Sequence, residues 1–263
     1  MPDQARSFRF GWKPEFPDHR DHPYASMRMA LEAPVALPVN VDLRRKCPPV
    51  YDQGDLGSCT ANAIAGAFEF DRLAQNLPDF VPSRLFIYWN ERDMEGTVDE
   101  DAGAYIRDGI KTVAALGVCK EDLWPYDIAR FRTKPTPACY TQAQRYLSVD
   151  YYRLDNSRIF ELKSCLAAGF PFVFGFTVFN SFFQANTNGG FVPMPSNEQA
   201  VGGHAVLCVG YDDAKGHFIV RNSWGDAYGD KGYYYFPYAY LSPSLSNDFW
   251  TIRTVTTAAL PKP

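Results

Sequence analysis

The chain has 263 residues, of which 46% are hydrophobic, 16% aromatic and 21% charged, and its formal net charge is -4. This length and composition predict one large globular domain or two closely packed lobes, and they exclude a mainly disordered chain. Because the net charge is negative, the chain has no basic field of the kind that nucleic-acid binding requires, and nucleic acid is excluded as a partner.

No stretch of the sequence predicts a membrane span. The longest strongly apolar run, residues 167–179, is interrupted by glycine and proline, and it is shorter than the ~20 residues that a spanning helix needs. The amino terminus has mixed charge with no apolar stretch behind it, so it does not resemble a secretory signal. We therefore expect no membrane insertion, and either a cytoplasmic location or export by a leaderless route.

The six cysteines include no Cys-x-x-Cys pair, and no cysteine or histidine cluster has zinc spacing. This pattern predicts no metal site, and no cofactor is expected. Mostly reduced thiols are favoured. A single bridge, such as one between Cys119 and Cys139, stays open because pairing cannot be assigned from the sequence.

Residues 1–36 differ in texture from the rest of the chain, because aromatic residues alternate there with prolines and many charges. Regular helix or strand is not expected in this segment. A flexible tail is one interpretation, and the other, which we favour, is an extended segment whose rings pack over the body of the protein. The aromatic residues are Phe8, Phe10, Trp12, Phe16 and Tyr24.

The first half of the chain is predicted to be mainly helical. Its alanine-rich stretches and apolar residues at helical spacing are typical of amphipathic helices. A helix that begins at or beside Cys59 would place the thiol at the positive end of the helix dipole, which lowers a thiol pKa. Helices are predicted over residues 59–73, 83–92 and 105–116.

From about residue 146 onward, short apolar runs alternate with turn signals, which is typical of strands in a sheet or barrel. Turn residues at 188–190 and 212–216 predict two hairpins. A helical half followed by a strand-rich half predicts an α+β fold with a site in the cleft between two lobes. Strands are predicted over residues 170–179, 205–211, 217–221 and 232–238.

Three short stretches contain the residue types of a cysteine nucleophile and its helpers. They are QGDLGSC over residues 53–59, GHAV over 203–206 and NSWG over 222–225. A thiol needs a base, the base needs an orienting group, and the oxyanion formed by attack needs fixed donors. Those roles suit Cys59, His204, Asn222 and Gln53. Each residue alone also has a structural explanation, so their order and spacing carry the interpretation.

In this order the stretches resemble the papain-like cysteine peptidases. The resemblance runs from about residue 37 to the carboxyl terminus, and LPVNVDLR at 37–44 and WPY at 124–126 also resemble family signatures. The separation of Cys59 from His204 lies within the ~130 to 150 residues typical of such sites. The short aromatic segment of residues 1–36, called the leader below, is most like that of bacterial members.

The resemblance implies a papain-like two-lobe α+β fold with the active site in the cleft. The mainly helical lobe would span about residues 50–145, and the β-barrel-like lobe about 146–263 plus 37–49. Residues 1–36 would then form a short pro-like segment ahead of a peptidase domain over residues 37–263.

The resemblance also implies a role for each site residue. Cys59 would be the attacking thiolate, with its pKa lowered to ~3 to 4 by the His204 imidazolium and the helix terminus. His204 would protonate the leaving amine, and Asn222 would hold its ring. Gln53 would bind the oxyanion together with the backbone N–H of Cys59. Trp224 would shield the bond between His204 and Asn222 from water.

Substrate contacts are expected along both walls of the cleft. Gly103 is the candidate for the wall that binds an extended substrate backbone, and a simple helix-start turn is an equal alternative. Gly203, Ala205 and Trp224 complete the predicted substrate-binding set. An apolar or aromatic preference is expected in the pocket for the second residue before the cleaved bond. Asp248 would admit arginine if it closed that pocket, but a surface acid is the preferred interpretation.

Two positions depart from the family pattern. Leu56 stands where most members have a cysteine, so the usual disulfide beside the nucleophile is absent and packing must hold that loop. Thr60 replaces the tryptophan that usually follows the nucleophile, which changes local packing but removes no catalytic group.

The function that the resemblance implies is a monomeric cysteine endopeptidase that cleaves proteins or peptides through an acyl-enzyme thioester. We also expect residues 1–36 to fold along the body, with residues 8–12 partly covering the cleft. Three alternatives stay open. They are an exopeptidase that uses His19 or His22 of the leader, another acyl-transfer enzyme, and a latent non-catalytic binding protein on the same scaffold.

Overall fold

The computed structural model of the chain describes residues 8–26 and 36–255, and its fold is of the predicted α+β class. In this part of the chain there are five α-helices and seven β-strands. The helices are α1 (Cys59–Ala74), α2 (Arg84–Glu95), α3 (Ile106–Leu116), α4 (Pro137–Ala143) and α5 (Ile159–Ala167). The strands are β1 (Asn40–Asp42), β2 (Ser148–Leu154), β3 (Phe172–Phe179), β4 (Ala200–Asp212), β5 (His217–Arg221), β6 (Tyr233–Pro237) and β7 (Ser246–Val255).

Helices α1 to α3 lie where the sequence predicts them, and α1 begins at Cys59 itself. The start of α2 is capped by Ser83, whose side chain accepts a hydrogen bond from the backbone N–H of Phe86. Helix α3 ends at Gly117, where a φ of 79° favours glycine. Short helices α4 and α5 are not predicted, because neither is long enough for a clear apolar period.

Helix α1 lies at the centre of the molecule. It packs against strands β4 and β7 on one side and against helices α2 and α3 on the other. Because it is covered on both sides, every residue from 59 to 72 is buried. Its small alanine-rich sequence suits this position, since close packing against a sheet requires short side chains. The thiol of Cys59 is therefore fixed at the end of the best-packed helix.

The strands form one antiparallel sheet in the order β2-β7-β3-β4-β5-β6, and β1 pairs with β4 as well. The central strand β4 places His204 opposite Phe176 of β3. The predicted hairpin at 212–216 joins β4 to β5. The hairpin predicted at 188–190 is wrong. That turn joins no pair of strands, and the side chain of Asn188 accepts from the backbone N–H of Phe191 within it.

The part of the leader that the structure describes lies against the body of the protein. Trp12 forms an isolated parallel bridge with Ala104, and a short 3-10 helix occupies Tyr24–Ser26. The rings of Trp12 and Tyr24 are buried, whereas Phe16 is 91% exposed. The expectations for residues 1–7 and 27–35 fall outside the described residues. Within residues 8–26 and 36–255, no helix is both long and apolar enough to cross a membrane.

Candidate active site

The residues of the three motifs come together where the start of α1 faces strand β4. His204 lies on β4, and its Nε2 is 2.7 Å from the Oδ1 of Asn222, the residue that follows β5. Against the rise that burial causes, the backbone N–H of Ala205, which follows His204 on β4, lowers the pKa of the Cys59 thiol, so the thiol lies close to the histidine strand. The geometry thus assembles a thiol, an imidazole and an amide that orients the imidazole.

The ring of Trp224 covers the imidazole of His204. Their centroids are 4.9 Å apart with an interplanar angle of 30°, and both side chains are buried. The Nε2 of His204 and the Oδ1 of Asn222 therefore meet in an apolar environment, where a hydrogen bond is stronger than in water. This is the arrangement that the sequence predicts for Trp224.

Gln53 is held by two hydrogen bonds that orient its amide. Its Oε1 accepts from the hydroxyl of Ser223 at 2.7 Å, and its Nε2 donates to the carbonyl of Leu56 at 2.9 Å. Ser223 lies between Asn222 and Trp224, so one short stretch contacts both His204 and Gln53. No motif in the sequence predicts this contact of Ser223 with Gln53.

Cys59 and His204 are both fully buried, and both are driven toward their neutral forms. Burial raises the pKa of the Cys59 thiol to about 12 and lowers the pKa of His204 to about 4. The low thiol pKa expected from the sequence is therefore absent from this arrangement. The physical reason is desolvation, since residues 8–12 of the leader exclude water from the site. Among the residues that the structure describes, the buried Nδ1 of His204 has no hydrogen-bond partner.

The leader crosses the site at Gly11, in a gap too narrow for any side chain. A Cβ on Gly11 would overlap the carbonyl oxygen of Gly57 and lie 2.5 Å from its carbonyl carbon. On the opposite side, a Cβ on Gly103 would lie 2.6 Å from the Cα of Gly11. Gly103 therefore lies directly against the leader, and Gly11, Gly57 and Gly103 together permit the close approach. Its role as a substrate-binding residue stays a prediction.

Backbone hydrogen bonds attach the leader to both walls of the cleft. The N–H of Trp12 donates to the carbonyl of Gly203 at 3.0 Å. On the other wall, Ala104 donates its N–H to the carbonyl of Gly11 at 2.7 Å and accepts from the N–H of Lys13 at 3.2 Å. The leader thus pairs with each side of the cleft as an additional strand does.

Aromatic rings of the leader pack around the base. Phe8 lies on Trp224 with ring centroids 4.2 Å apart, and Phe10 meets the His204 ring edge to face at 6.1 Å. The carbonyl of Arg9 accepts from the Nε2 of Gln53 at 3.2 Å. Most of the predicted contact residues, Trp224 and Gly203 among them, are therefore occupied by the leader.

Trp12 fills a narrow slot beside the site. A Cβ on Gly175 would overlap its indole ring, and its Nε1 donates to the Oδ2 of Asp248 at 3.0 Å. Asp248 is only 2% exposed. Its interpretation as a surface acid is wrong, because the indole and the backbone N–H of Glu15 cover its carboxylate.

The nucleophile loop is held by polar contacts in place of a disulfide. The carboxylate of Asp101 accepts from the backbone N–H of Gly57 at 3.0 Å and from the hydroxyl of Tyr88 at 2.6 Å. The hydroxyl of Tyr126 lies 2.5 Å from that of Ser58 and donates to the carbonyl of Gln53 at 2.8 Å. Such buried networks rigidify a loop when every member is satisfied.

Thr60, which stands in place of the usual tryptophan, donates its hydroxyl to Glu91 at 2.8 Å. Burial raises the pKa of Glu91 well above its ordinary value.

All six cysteines are free, so the alternative of a bridge between Cys119 and Cys139 is not realised. Over the part of the chain that is described, no group of side chains could hold a metal ion.

The leader histidines lie away from the thiol. The side chain of His19 is 94% exposed, and the ring of His22 packs against Tyr151 of β2 at 5.8 Å. Neither occupies the cleft between Gly57 and Gly203. No contact of these two residues favours the exopeptidase alternative.

Comparison with known proteins identifies the family. The profile described as papain family cysteine protease matches residues 37–240. The chain belongs to the papain family of cysteine proteases, and it is a papain-like cysteine peptidase in fold and in its motifs. It is 50% identical over 216 residues to an uncharacterized peptidase C1-like protein of Acanthamoeba polyphaga mimivirus, which covers 78% of this chain and 70% of that protein.

Solved structures extend the comparison to the leader. Xylellain, a cysteine protease from Xylella fastidiosa, is 45% identical, with a TM-score of 0.85 over 97% of this chain and 99% of that one. The resemblance to bacterial members, inferred from the short leader, is therefore confirmed.

Among sequence relatives, Cathepsin K of Gallus gallus is 32% identical over 206 residues, which is 74% of this chain and 58% of that protein.

Proposed function

We propose that the chain is an endopeptidase whose nucleophile is Cys59 and that residues 8–16 of its leader hold it latent. The observation that carries this proposal is the crossing of Gly11 between Gly57 and Gly103, above a thiol that is fully buried. A substrate backbone would need the space and the hydrogen-bond partners that the leader occupies. The chemistry is supported by the grouping of four residues, Cys59, His204, Asn222 and Gln53. The latency is supported by the covered cleft.

The proposed chemistry proceeds through a thioester. With the cleft open, the Cys59 thiolate attacks the carbonyl carbon of the scissile bond, and the oxyanion is held by Gln53 and the backbone N–H of Cys59. His204, as the imidazolium, gives its proton to the leaving amine, and the C–N bond breaks. Water then attacks the thioester with His204 as the base, which releases the carboxylic acid and restores the thiolate.

The leader occupies positions that the proposed chemistry would need. The backbone of Gly11 lies close enough to Cys59 to lower the pKa of its thiol against the effect of burial, and the carbonyl of Arg9 receives one of the two proposed oxyanion donors, the side chain of Gln53. This geometry supports a segment that blocks the site.

The test is peptide turnover by the full-length chain and by a version that begins at Ala36. A library of peptides with blocked termini is the substrate, so that only internal cleavage registers. We expect turnover by the shortened chain to exceed that of the full-length chain at least tenfold. Labelling by a thiol-directed peptide epoxide should follow the same order and should be confined to Cys59.

The matched controls are Cys59→Ala and Cys47→Ala in the shortened chain. Loss of turnover with the first and retention with the second would support Cys59 as the nucleophile. Equal turnover and equal labelling of the full-length and shortened wild-type chains would contradict latency without touching the assignment of Cys59. Turnover of the same peptides with free termini, and none of the blocked library, would instead support an exopeptidase.

A further inference from the structure

Three carboxylates meet in a buried cluster where the leader leaves the cleft. Two belong to the leader, Glu15 and Asp21, and the third is Asp248 of β7. Their side chains are 3%, 5% and 0% exposed, respectively. The backbone N–H of Glu15 donates to the Oδ2 of Asp248 at 3.0 Å, which brings the two residues side by side.

Two arginines of the body face this cluster. Arg107, near the start of α3, forms a bidentate pair with Asp21 at 2.8 and 2.9 Å and lies 2.6 Å from Glu15. Arg153 of β2 donates to Asp21 at 3.1 Å and lies 3.8 Å from Asp248. The backbone N–H of Arg107 also donates to Glu15 at 2.6 Å, so a leader carboxylate caps helix α3.

The charges in the cluster do not balance when all three acids are ionised. Two guanidinium groups face three carboxylates, and the bidentate contact of Arg107 is already used by Asp21. Asp108, next to Arg107 on α3, adds further negative potential at Glu15. Arg107 is thus shared between Asp21 and Glu15. Among the described residues, Asp248 has an ion pair only with the more distant Arg153. Glu15 and Asp248 would then be two adjacent buried anions in a cluster with one cation too few, which is costly unless one of them holds a proton.

Titration properties agree with this count. Burial, with the nearby Asp248 charge, raises the pKa of Glu15 to about 8, and burial raises the pKa of Asp248 as well. Once the leader is released, Glu15 would lie in water with an ordinary glutamate pKa of about 4.3. The covered cleft therefore binds protons more tightly than the open one.

We propose that Glu15 is a proton-controlled latch on the leader, so that covering the cleft takes up about one proton and a rise in pH above neutral uncovers it. This inference rests on the proposed function, since it names the regulation of the same cleft. Mild acid keeps the leader in place, and mildly alkaline conditions release it.

The direction follows from proton linkage. A group whose pKa is raised in the covered form stabilises that form fully at low pH, and the stabilisation is lost as pH rises through about 8. Cys59 and His204 do not cancel this effect near neutral pH. A neutral thiol with a neutral imidazole carries one proton, and the proposed thiolate with imidazolium carries one proton as well. Where Cys59 is replaced by alanine, His204 alone takes up a proton on opening, and this opposes the Glu15 effect below a pH of about 6.5 to the same extent in every variant of that background.

The test follows opening of the cleft by hydrogen exchange in the full-length Cys59→Ala chain. The amides of Trp12 and Ala104, which bond the leader to the walls, report on opening. Exchange is measured at pH 5.5, 7.0 and 8.5 and corrected for the intrinsic rate at each pH. We expect the opening constant to rise with pH, by at most about tenfold per pH unit between 6 and 8.

Two variants in the same background separate the latch from general stability. Glu15→Gln retains an acceptor for the N–H of Arg107 but cannot ionise, and it should keep the cleft covered at all three pH values. Asp18→Asn is the matched control, because Asp18 lies on the same leader but is paired with Arg20. Its pH profile should equal that of the parent chain.

Equal pH slopes for the parent and for Glu15→Gln would overturn the latch, and so would opening of the parent that fails to rise between pH 7.0 and 8.5. If Glu15→Gln fails to cover the cleft at any pH, Asp248→Asn provides the second test, since its amide oxygen still accepts from Trp12. An undiminished slope in that variant overturns the latch as well. Because the Cys59 thiol is absent from these variants, these outcomes do not depend on whether the chain is a peptidase, which turnover tests separately.

Discussion

Replacing Gly11 by alanine puts a methyl group where the structure has no room for one. The new Cβ would overlap the carbonyl oxygen of Gly57 and lie 2.5 Å from its carbonyl carbon. Ordinary contact between carbon atoms is about 3.5 to 4.0 Å, so the two backbones would have to separate by roughly 1 Å or more. Both obstacles are backbone atoms, which cannot rotate away as a side chain does.

The magnitude follows from the cost of overpacking. An added methyl in a close-packed site typically costs about 1 to 3 kcal/mol, and loss of the hydrogen bond from Ala104 to Gly11 adds about 1 kcal/mol. Since about 1.4 kcal/mol corresponds to a tenfold change in an equilibrium, the fraction of open cleft should rise by about 10 to 1000-fold. The change weakens only the covered form.

The assay is the rate of Cys59 alkylation by iodoacetamide in the full-length chain at a fixed pH of about 7, resolved from the other thiols by peptide mapping. Gly11→Ala should react faster by the factor above. Phe16→Ala is the control, because its ring is 91% exposed and its removal should leave the rate unchanged. Alkylation of Gly11→Ala at the wild-type rate, with the native fold retained, would refute the steric argument.

Two further predictions concern the loop that carries the nucleophile. In the chain that begins at Ala36, Gln53→Ala should lower kcat by about 100 to 1000-fold, because one oxyanion donor is lost; a loss below tenfold in steady-state turnover would remove Gln53 from the machinery. Tyr126→Phe removes the hydroxyl that joins Ser58 to Gln53 and should lower the free energy of unfolding by about 1 to 3 kcal/mol. Urea denaturation measures that change, and an unaltered midpoint would contradict a holding role for the hydroxyl.

The parts of the fold that the sequence predicts are those set by local pattern. Helix α1 is predicted because alanines and apolar residues recur at helical spacing, and the turn after β4 because its residues favour turns. Strand β7 is not predicted, since the polar residues Ser246, Asn247 and Asp248 interrupt its apolar pattern. In the structure, Asp248 has a φ of 60° within this strand. Its place in the sheet depends on β2 and β3, which lie far away in sequence.

The same distinction separates the predicted from the unpredicted parts of the site. The motifs of the family bring Cys59, His204 and Asn222 to attention, and the structure places His204 and Asn222 within hydrogen-bond distance. The substrate-binding role of Gly103 rests on its place in the sequence and stays a prediction. The burial of Asp248 depends on Trp12, more than 200 positions away, and no local signal reports such a contact. The role of Glu15 likewise arises only after the leader has folded back onto α3 and β7.

The leader joins both walls of the cleft while remaining part of the same chain, and this attachment has a quantitative consequence. A tethered segment meets its binding site at an effective concentration of the order of millimolar, whatever the protein concentration. A single cut between residues 26 and 36 would leave every described contact in place, yet it would turn closure into association of two molecules. Dilution would then release the segment, and the activity of a cut preparation would depend on how concentrated it is.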